Sequence, residues 1–317
     1  MAIIVAVLAA LLLPATPVSA RPSAADLDRR LREAAQQLEV VVEQFNQLRE
    51  DLRATAGQTQ ALGDRTGTLE TALQHSSERL GRIASDTYRY SGNASMVALL
   101  ATHSGDRLVG QLTVLDRLAR AQQRAVDDLV DAEDRVAVAR HTLTALADQQ
   151  RTQQHRLAAK KTQIEREIRR LKAMRDQASA GGFRVDPPAQ PAGSVRPPRY
   201  VAGPAARAVA FAFAQLGRPY RWGASGPHAY DCSGLTSAAW ARAGVRLPHS
   251  SRAQWGTVAR LSRAELRPGD LIFYYGGVSH VALYVGGDRM IHAPTYGQSV
   301  RVDAVGYQPV RGYGRPR

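Results

Sequence analysis

The chain has 317 residues and a net charge of +14, with 44% hydrophobic and 22% charged residues. Its length is typical of about two domains, and its composition excludes a disordered polyelectrolyte. The single cysteine excludes an intramolecular disulfide framework and a thiolate zinc cluster, while the basic excess predicts an anionic partner such as nucleic acid, acidic lipid or an anionic wall polymer.

An apolar run at the N terminus predicts export. Residues 2–13 are all apolar, and Val18-Ser19-Ala20 ends on the small residues of a signal-peptide cleavage site. The run is shorter than the ~20 residues that a membrane span needs. We therefore expect residues 1–20 to be a signal peptide that is cleaved after Ala20, and the mature protein to be secreted into the cell envelope.

The next segment predicts a long helical hairpin. No proline occurs between Pro22 and Pro187, and the residues between them favour helix. Apolar residues recur at spacings of three and four in two runs, which is typical of a coiled coil. The pattern breaks between Tyr88 and Gly110, so we expect a turn there, with short helices around residues 96–100, between two antiparallel arms of about 60 residues, ~90 Å each.

The hairpin is followed by a linker and a compact domain. Gly181-Gly182 and a run of prolines predict a semi-extended connection. We therefore divide the mature chain into a coiled-coil hairpin (21–180), a linker (181–204) and a C-terminal domain (205–317). The arm is either a spacer or oligomerisation element, or a lever that docks on a membrane partner or covers the C-terminal domain; periodicity does not choose between these.

The C-terminal domain contains the only cysteine. Asp231 is a typical N-cap residue, and the apolar spacing behind it predicts a helix that closes near Gly244. Cys232 would then lie in the first helical turn, where the helix dipole lowers the pKa of a thiol and favours a nucleophilic thiolate. The alternative is a buried, inert cysteine.

Candidate bases follow in a predicted sheet. Residues 271–275 predict a strand, and residues 279–285 and 289–293 predict a hairpin. With a three-residue loop, His280 and His292 share one face of that hairpin with Ala282, and the opposite face points to the core. We expect His280 to act as the base for Cys232, His292 to orient His280, and a backbone N–H near Cys232 to bind the oxyanion. The residues expected to face the core are Val281, Leu283, Val285 and Ile291.

These residues lie in five motifs. They are GRPYRWG at 217–223, YDCSGL at 230–235, PGDLIF at 268–273, SHVALYVG at 279–286 and MIHA at 290–293. With them the domain closely resembles the NlpC family of bacterial cell-wall cysteine peptidases, although Ala224 stands where many relatives have a second glycine. The resemblance implies a papain-like α+β fold and hydrolysis of the γ-D-glutamyl–meso-diaminopimelate bond in peptidoglycan stem peptides. It also implies that Tyr220, Asp231 and Ser233 line the substrate subsites.

The order of segments resembles actinobacterial Rip-type endopeptidases of daughter-cell separation. We hypothesise that the coiled coil docks on a division-associated membrane complex. Two alternatives stay open: a Cys-His-class N-acetylmuramoyl-L-alanine amidase, and a non-catalytic coiled-coil regulator of other wall hydrolases. We expect no cofactor, metal or nucleic acid. His228 and His249 are expected at the surface, and at least one of Trp222 and Trp255 in the core.

Overall fold

The computed structural model describes residues 24–90, 105–180 and 202–317. The expected signal peptide, the expected short helices near residues 96–100 and most of the expected linker lie outside these residues. Within the described ranges, no helix combines the length and the apolar character that crossing a membrane requires.

The N-terminal region consists of two long helices, α1 (Ala24–Tyr90) and α2 (Gly105–Ala180). Contacts between them show that they run antiparallel. Lys160 Nζ donates to Gln44 Oε1 at 2.7 Å near one end of the hairpin, and Arg79 pairs with Asp128 at 3.4 Å toward the other. The predicted all-α hairpin is confirmed. Helix α2 nevertheless begins at Gly105, within the segment that the sequence assigned to the turn.

Apolar packing in the hairpin is strongest beside the C-terminal domain. Leu38 of α1 packs there with Ile164 and Leu171 of α2, and all three are almost completely buried. Toward the far end the seam opens, and Leu118, which the heptad pattern places in the seam, is 49% exposed. The hairpin is therefore held most firmly where it meets the domain.

The C-terminal domain combines helices with an antiparallel sheet, as predicted. Its described helices are α3 (Gly203–Ala214), α4 (Cys232–Arg242) and α5 (Ser251–Thr257). Its described strands are β1 (Ala259–Leu261), β2 (Leu271–Tyr274), β3 (His280–Gly286), β4 (Arg289–His292), β5 (Arg301–Ala304) and β6 (Val310–Arg315). They form one sheet in the order β1-β6-β2-β3-β4-β5, and α4 packs on its central strands.

The β3–β4 hairpin has the predicted faces but a different turn. Tyr284 pairs with Met290, and Arg289 pairs with Gly286, whereas a three-residue loop would pair Arg289 with Val285. The predicted three-residue loop is therefore wrong. A bulge between Tyr284 and Gly286 absorbs the extra residue, which leaves the facing of the histidines unchanged. The opposite face, with Val281 among its residues, lies in the main core.

Helix α4 begins at Cys232 because Asp231 caps it. The Oδ1 atom of Asp231 accepts a hydrogen bond from the backbone N–H of Gly234 at 2.7 Å, as expected of an N-cap. The preceding loop lies against this first turn so closely that a Cβ atom at Gly234 would be 2.1 Å from the carbonyl oxygen of Ala224. Glycine at this position therefore lets the loop and the start of the helix make contact.

We predict that Gly234→Ala destabilises the C-terminal domain by about 1–3 kcal/mol, because the backbone must shift to admit the methyl group. Urea unfolding followed by tryptophan fluorescence measures this, since all three tryptophans lie in this domain. Gly256→Ala in α5 is the matched control: nothing lies within 4 Å of its Cβ position, so it should be neutral or slightly stabilising. Equal midpoints for the two variants would contradict the prediction.

Candidate active site

The predicted nucleophile and base come together where α4 meets β3. Cys232 is the first residue of α4 and is 2% exposed, and His280 is the first residue of β3 and is equally buried. The backbone N–H of Val281, next to His280, donates a hydrogen bond to the sulfur of Cys232. The start of α4 therefore places the thiol against the backbone of β3, one residue from His280.

His292 lies behind His280. Its Nδ1 atom is 2.8 Å from His280 Nε2, and its ring is fully buried. On the other side, His292 Nε2 is 3.0 Å from Asp303 Oδ2. The sequence pattern did not identify Asp303, because it lies in β5, which was not predicted. A carboxylate eleven residues beyond a strand histidine is no signal until the pairing of the strands is known.

The three residues expected to line substrate subsites are all buried around Cys232. Asp231 accepts hydrogen bonds at Oδ2 from the backbone N–H of Gly223 at 2.7 Å and from Asn46 Nδ2 at 3.0 Å. Ser233 donates its hydroxyl to Glu43 Oε1 at 2.8 Å, and Tyr220 packs into the main core. Two of these residues therefore bind side chains of α1.

His249 lies inside the site rather than at the surface. It is 7% exposed, and its Nε2 atom is 2.7 Å from Asp231 Oδ1, while Nδ1 contacts Arg49 of α1. The expectation that it is a surface group is therefore wrong, because Asp231 and Arg49 hold its ring inside the site. His228 is exposed, as expected.

Helix α1 covers the site with a stripe of polar side chains. Glu43 Oε1 accepts a hydrogen bond from Cys232 Sγ at 3.4 Å, and Glu43 Oε2 accepts one from the Ser251 backbone N–H at 2.7 Å. One turn earlier, Glu39 Oε1 lies 3.8 Å from His280 Nδ1. The spacing of Glu39, Glu43 and Asn46 places them on one face of the helix. In the sequence, this stripe looks like an ordinary solvent-exposed polar face of a helix, so sequence reasoning did not identify it.

Further contacts extend the arm–domain interface beside this stripe. The Phe45 ring packs edge-to-face against Trp222 with centroids 5.2 Å apart, and Arg49 donates to the carbonyl oxygen of Gly223 at 3.0 Å. Cavities of about 490 and 510 Å³ lie along α1, the first reaching His280 and the second Ser279. The covered cleft is therefore larger than the stripe that fills its centre.

This environment keeps the thiol and the imidazole uncharged. Burial, followed by the charges of Glu43 and Asp231, raises the pKa of Cys232 well above its ordinary value. Burial, followed by His292, lowers the pKa of His280 well below its ordinary value. The expected lowering of the thiol pKa is therefore wrong for this covered site, because desolvation and neighbouring carboxylates outweigh the start of the helix.

Burial also acts on the covering carboxylates. Burial first, and then the neighbouring Glu43, raises the pKa of Glu39 well above its ordinary value. Among the residues that the structure describes, no three His, Cys, Asp or Glu side chains group as metal ligands. The arrangement contains the parts needed for acyl transfer to a thiol: a nucleophile, a base and a group that orients the base.

Comparisons with known proteins identify the same domain. Residues 217–311 match the model of the NlpC/P60 family. The chain is 43% identical over 108 residues to a Listeria monocytogenes protein named "Probable endopeptidase p60", covering 33% of this chain and 21% of that one. It is also 43% identical over 94 residues to a probable endopeptidase of Mycobacterium tuberculosis, covering 30% and 24%.

A solved structure titled as the NlpC/p60 domain of the peptidoglycan hydrolase SagA is 34% identical to this chain. The match covers 35% of this chain and 97% of that one, with a TM-score of 0.33. By contrast, the chain spans only about a fifth to a quarter of the length of the curated relatives it matches. Through its C-terminal domain, the chain belongs to the NlpC/P60 family.

Proposed function

We propose that the C-terminal domain is a secreted peptidoglycan endopeptidase that hydrolyses the γ-D-glutamyl–meso-diaminopimelate bond of stem peptides. The observation that carries this proposal is the convergence of a helix-start thiol, Cys232, with His280 and His292 on one sheet face. Family membership and relatives named as endopeptidases support it. The preference for this particular bond comes from the family resemblance.

In the proposed mechanism, His280 takes the proton of Cys232, and the thiolate attacks the carbonyl carbon of the scissile amide. A backbone N–H near Cys232 stabilises the oxyanion. The carbon–nitrogen bond then breaks, and the His280 imidazolium protonates the leaving amine. Water, deprotonated by His280, hydrolyses the thioester and restores the thiol. His292 holds the His280 ring in position throughout.

The contacts made by α1 support the proposed substrate subsites. Asp231 accepts a hydrogen bond from the side-chain amide of Asn46, so it is placed to accept one from an amino group of a peptide. Ser233 donates to the carboxylate of Glu43, so it is placed to donate to a carboxylate of a peptide. Stem peptides carry both groups. We assign Tyr220 to the wall of the same subsite.

We predict that residues 200–317 release products cut between D-glutamate and diaminopimelate from diaminopimelate-type peptidoglycan, and that the Cys232→Ala variant releases none. Mass spectrometry of the digests identifies the bond, and tryptophan fluorescence checks that both proteins are folded. Cysteine-dependent cuts between muramic acid and L-alanine would instead make the domain an amidase. If no product depends on Cys232, the non-catalytic regulator becomes the better account.

We also propose that α1 holds the enzyme latent. Glu43 and Glu39 lie against Cys232 and His280, so a stem peptide has no access to the thiol while α1 stays in place. The same contacts keep the thiol protonated, because they raise its pKa. Displacing α1 therefore both opens the cleft and increases the thiolate fraction at a given pH.

We predict that a release variant of the full chain, Glu43→Ala/Phe45→Ala/Asn46→Ala, reacts with iodoacetamide at pH 7 at least about tenfold faster than the parent. At a pH below the pKa, lowering the pKa of the thiol by one unit raises the thiolate fraction about tenfold. The pH at which alkylation is half-maximal should also fall. Gln37→Ala, on the exposed side of α1, is the control and should match the parent. Equal rates in release variant and parent would refute latency by α1.

The far end of the hairpin is the proposed docking site for a division-associated membrane complex. The architecture of the chain suggests this partner, and apolar side chains are exposed there: Tyr88 is 85%, Val109 64% and Val114 63% exposed. We take these exposed apolar side chains as the candidate docking surface.

We predict that deletion of residues 24–180 abolishes recruitment of the protein to the division septum, because the docking surface is removed. Fluorescence microscopy of a tagged protein in its own bacterium measures this, with the full chain carrying Cys232→Ala as the control that keeps the arm and lacks the thiol. Normal septal localisation of the deletion variant would exclude docking through the arm.

A further inference from the structure

A carboxylate extends the pair of histidines on the sheet. Asp303 Oδ2 lies 3.0 Å from His292 Nε2 and accepts a hydrogen bond from Arg301 Nε at 2.8 Å. His292 is fully buried, and the Asp303 side chain is 19% exposed. Asp303 is part of neither the sequence motifs nor the mechanism described above.

Strand pairing explains why Asp303 reaches His292. In the β4–β5 register, Met290 pairs with Asp303 and His292 pairs with Arg301. Alternate residues of a strand share a face, so all four side chains lie on the same face of the sheet. Asp303 is the diagonal neighbour of His292, a spacing that long side chains bridge. The row of polar side chains therefore continues from β3 through β4 to β5.

The hydrogen bonds of this row determine where the ring protons lie. An ionised carboxylate only accepts hydrogen bonds, so His292 Nε2 carries a proton. Neutral His292 then has a lone pair on Nδ1, and it accepts a hydrogen bond from His280 Nε2–H at 2.8 Å. His280 is left with its lone pair on Nδ1. Among the described residues, none makes a hydrogen bond to that buried atom.

The carboxylate is held in its ionised form. Although partial burial opposes it, the hydrogen bond from His292 and the contact with Arg301 lower the pKa of Asp303. Arg301 also places a positive charge near both imidazoles and lowers the pKa of each, after burial. Since Arg301 binds the same carboxylate oxygen that faces His292, we expect the acceptor geometry of Asp303 to matter more than its charge.

We propose that Asp303 is a positioning residue that fixes His292 in the Nε2–H tautomer and thereby leaves the Nδ1 lone pair of His280 free to take the proton of Cys232. The catalytic consequence rests on the proposed function, whereas the tautomers themselves do not. Asn at position 303 retains an acceptor oxygen, and Ala does not. The two substitutions therefore separate acceptor geometry from charge.

The decisive experiment is ¹⁵N NMR of histidine-labelled full chain, which distinguishes the two neutral tautomers by the shifts of the ring nitrogens. We expect Nε2–H tautomers at His280 and His292 in the parent and in Asp303→Asn, and a mixture at both in Asp303→Ala. A His292→Gln variant assigns the signals. Asp288→Asn, another carboxylate of the same domain that pairs with Arg263, is the control and should leave the spectrum unchanged. Identical tautomers in the parent and Asp303→Ala would overturn the proposal.

Steady-state kinetics of the release variant, with and without each Asp303 substitution, measure the catalytic consequence. Because a histidine in the wrong tautomer cannot act as the base, we expect kcat to fall about tenfold or more in Asp303→Ala and to be largely restored in Asp303→Asn, with KM unchanged. An equal loss of kcat in both variants would show that charge, not acceptor geometry, is the role, and would overturn the proposal. Tautomers that respond in a protein that hydrolyses no peptidoglycan would instead count against the proposed function alone.

Discussion

The pairing of β3 with β4 and of β4 with β5 is the constraint on which the candidate site depends. It places His280, His292 and Asp303 in one row across the sheet, with hydrogen-bond distances of 2.8 and 3.0 Å between neighbours. A slip of one residue in either pairing would turn a member of the row to the opposite face. The bulge at Tyr284 matters for this reason, because it accommodates the tight turn without moving the histidines.

The helical arm contributes buried carboxyl groups to the active-site region of the C-terminal domain. Burying Glu39 and Glu43 is unfavourable: burial raises the pKa of both carboxyls, and the neighbouring charge of Glu43 adds to the shift of Glu39 and that of Asp231 to the shift of Glu43. Hydrogen bonds from Ser233 and the Ser251 N–H recover part of that cost for Glu43, and the apolar cluster of the hairpin packs against Trp222 and Tyr296 of the domain nearby. The proposed latency requires an interface that can open, and the cost of burying these carboxyls is a reason for it to do so.

Local patterns in the sequence were sufficient for several parts of the fold and site. The heptads predicted the helical hairpin, Asp231 predicted the cap of α4, and alternation predicted that His280 and His292 share a face. Each of these depends on residues within a few positions of one another or on a single tight turn. The predicted loop length was wrong, yet the facing of the histidines was right, because a bulge and a longer loop satisfy the same alternation.

The sequence by itself therefore determined the helical arm, the helix start at Cys232 and the facing of the two histidines, since backbone propensity and side-chain periodicity are local properties. Only the tertiary structure decided that α1 covers the thiol, that His249 is buried on Asp231, and that Asp303 supports His292. The contact between Glu43 and Cys232 joins residues 189 positions apart. The protonation of the thiol depends on that distant carboxylate and on burial, and neither is encoded in the residues that flank the cysteine.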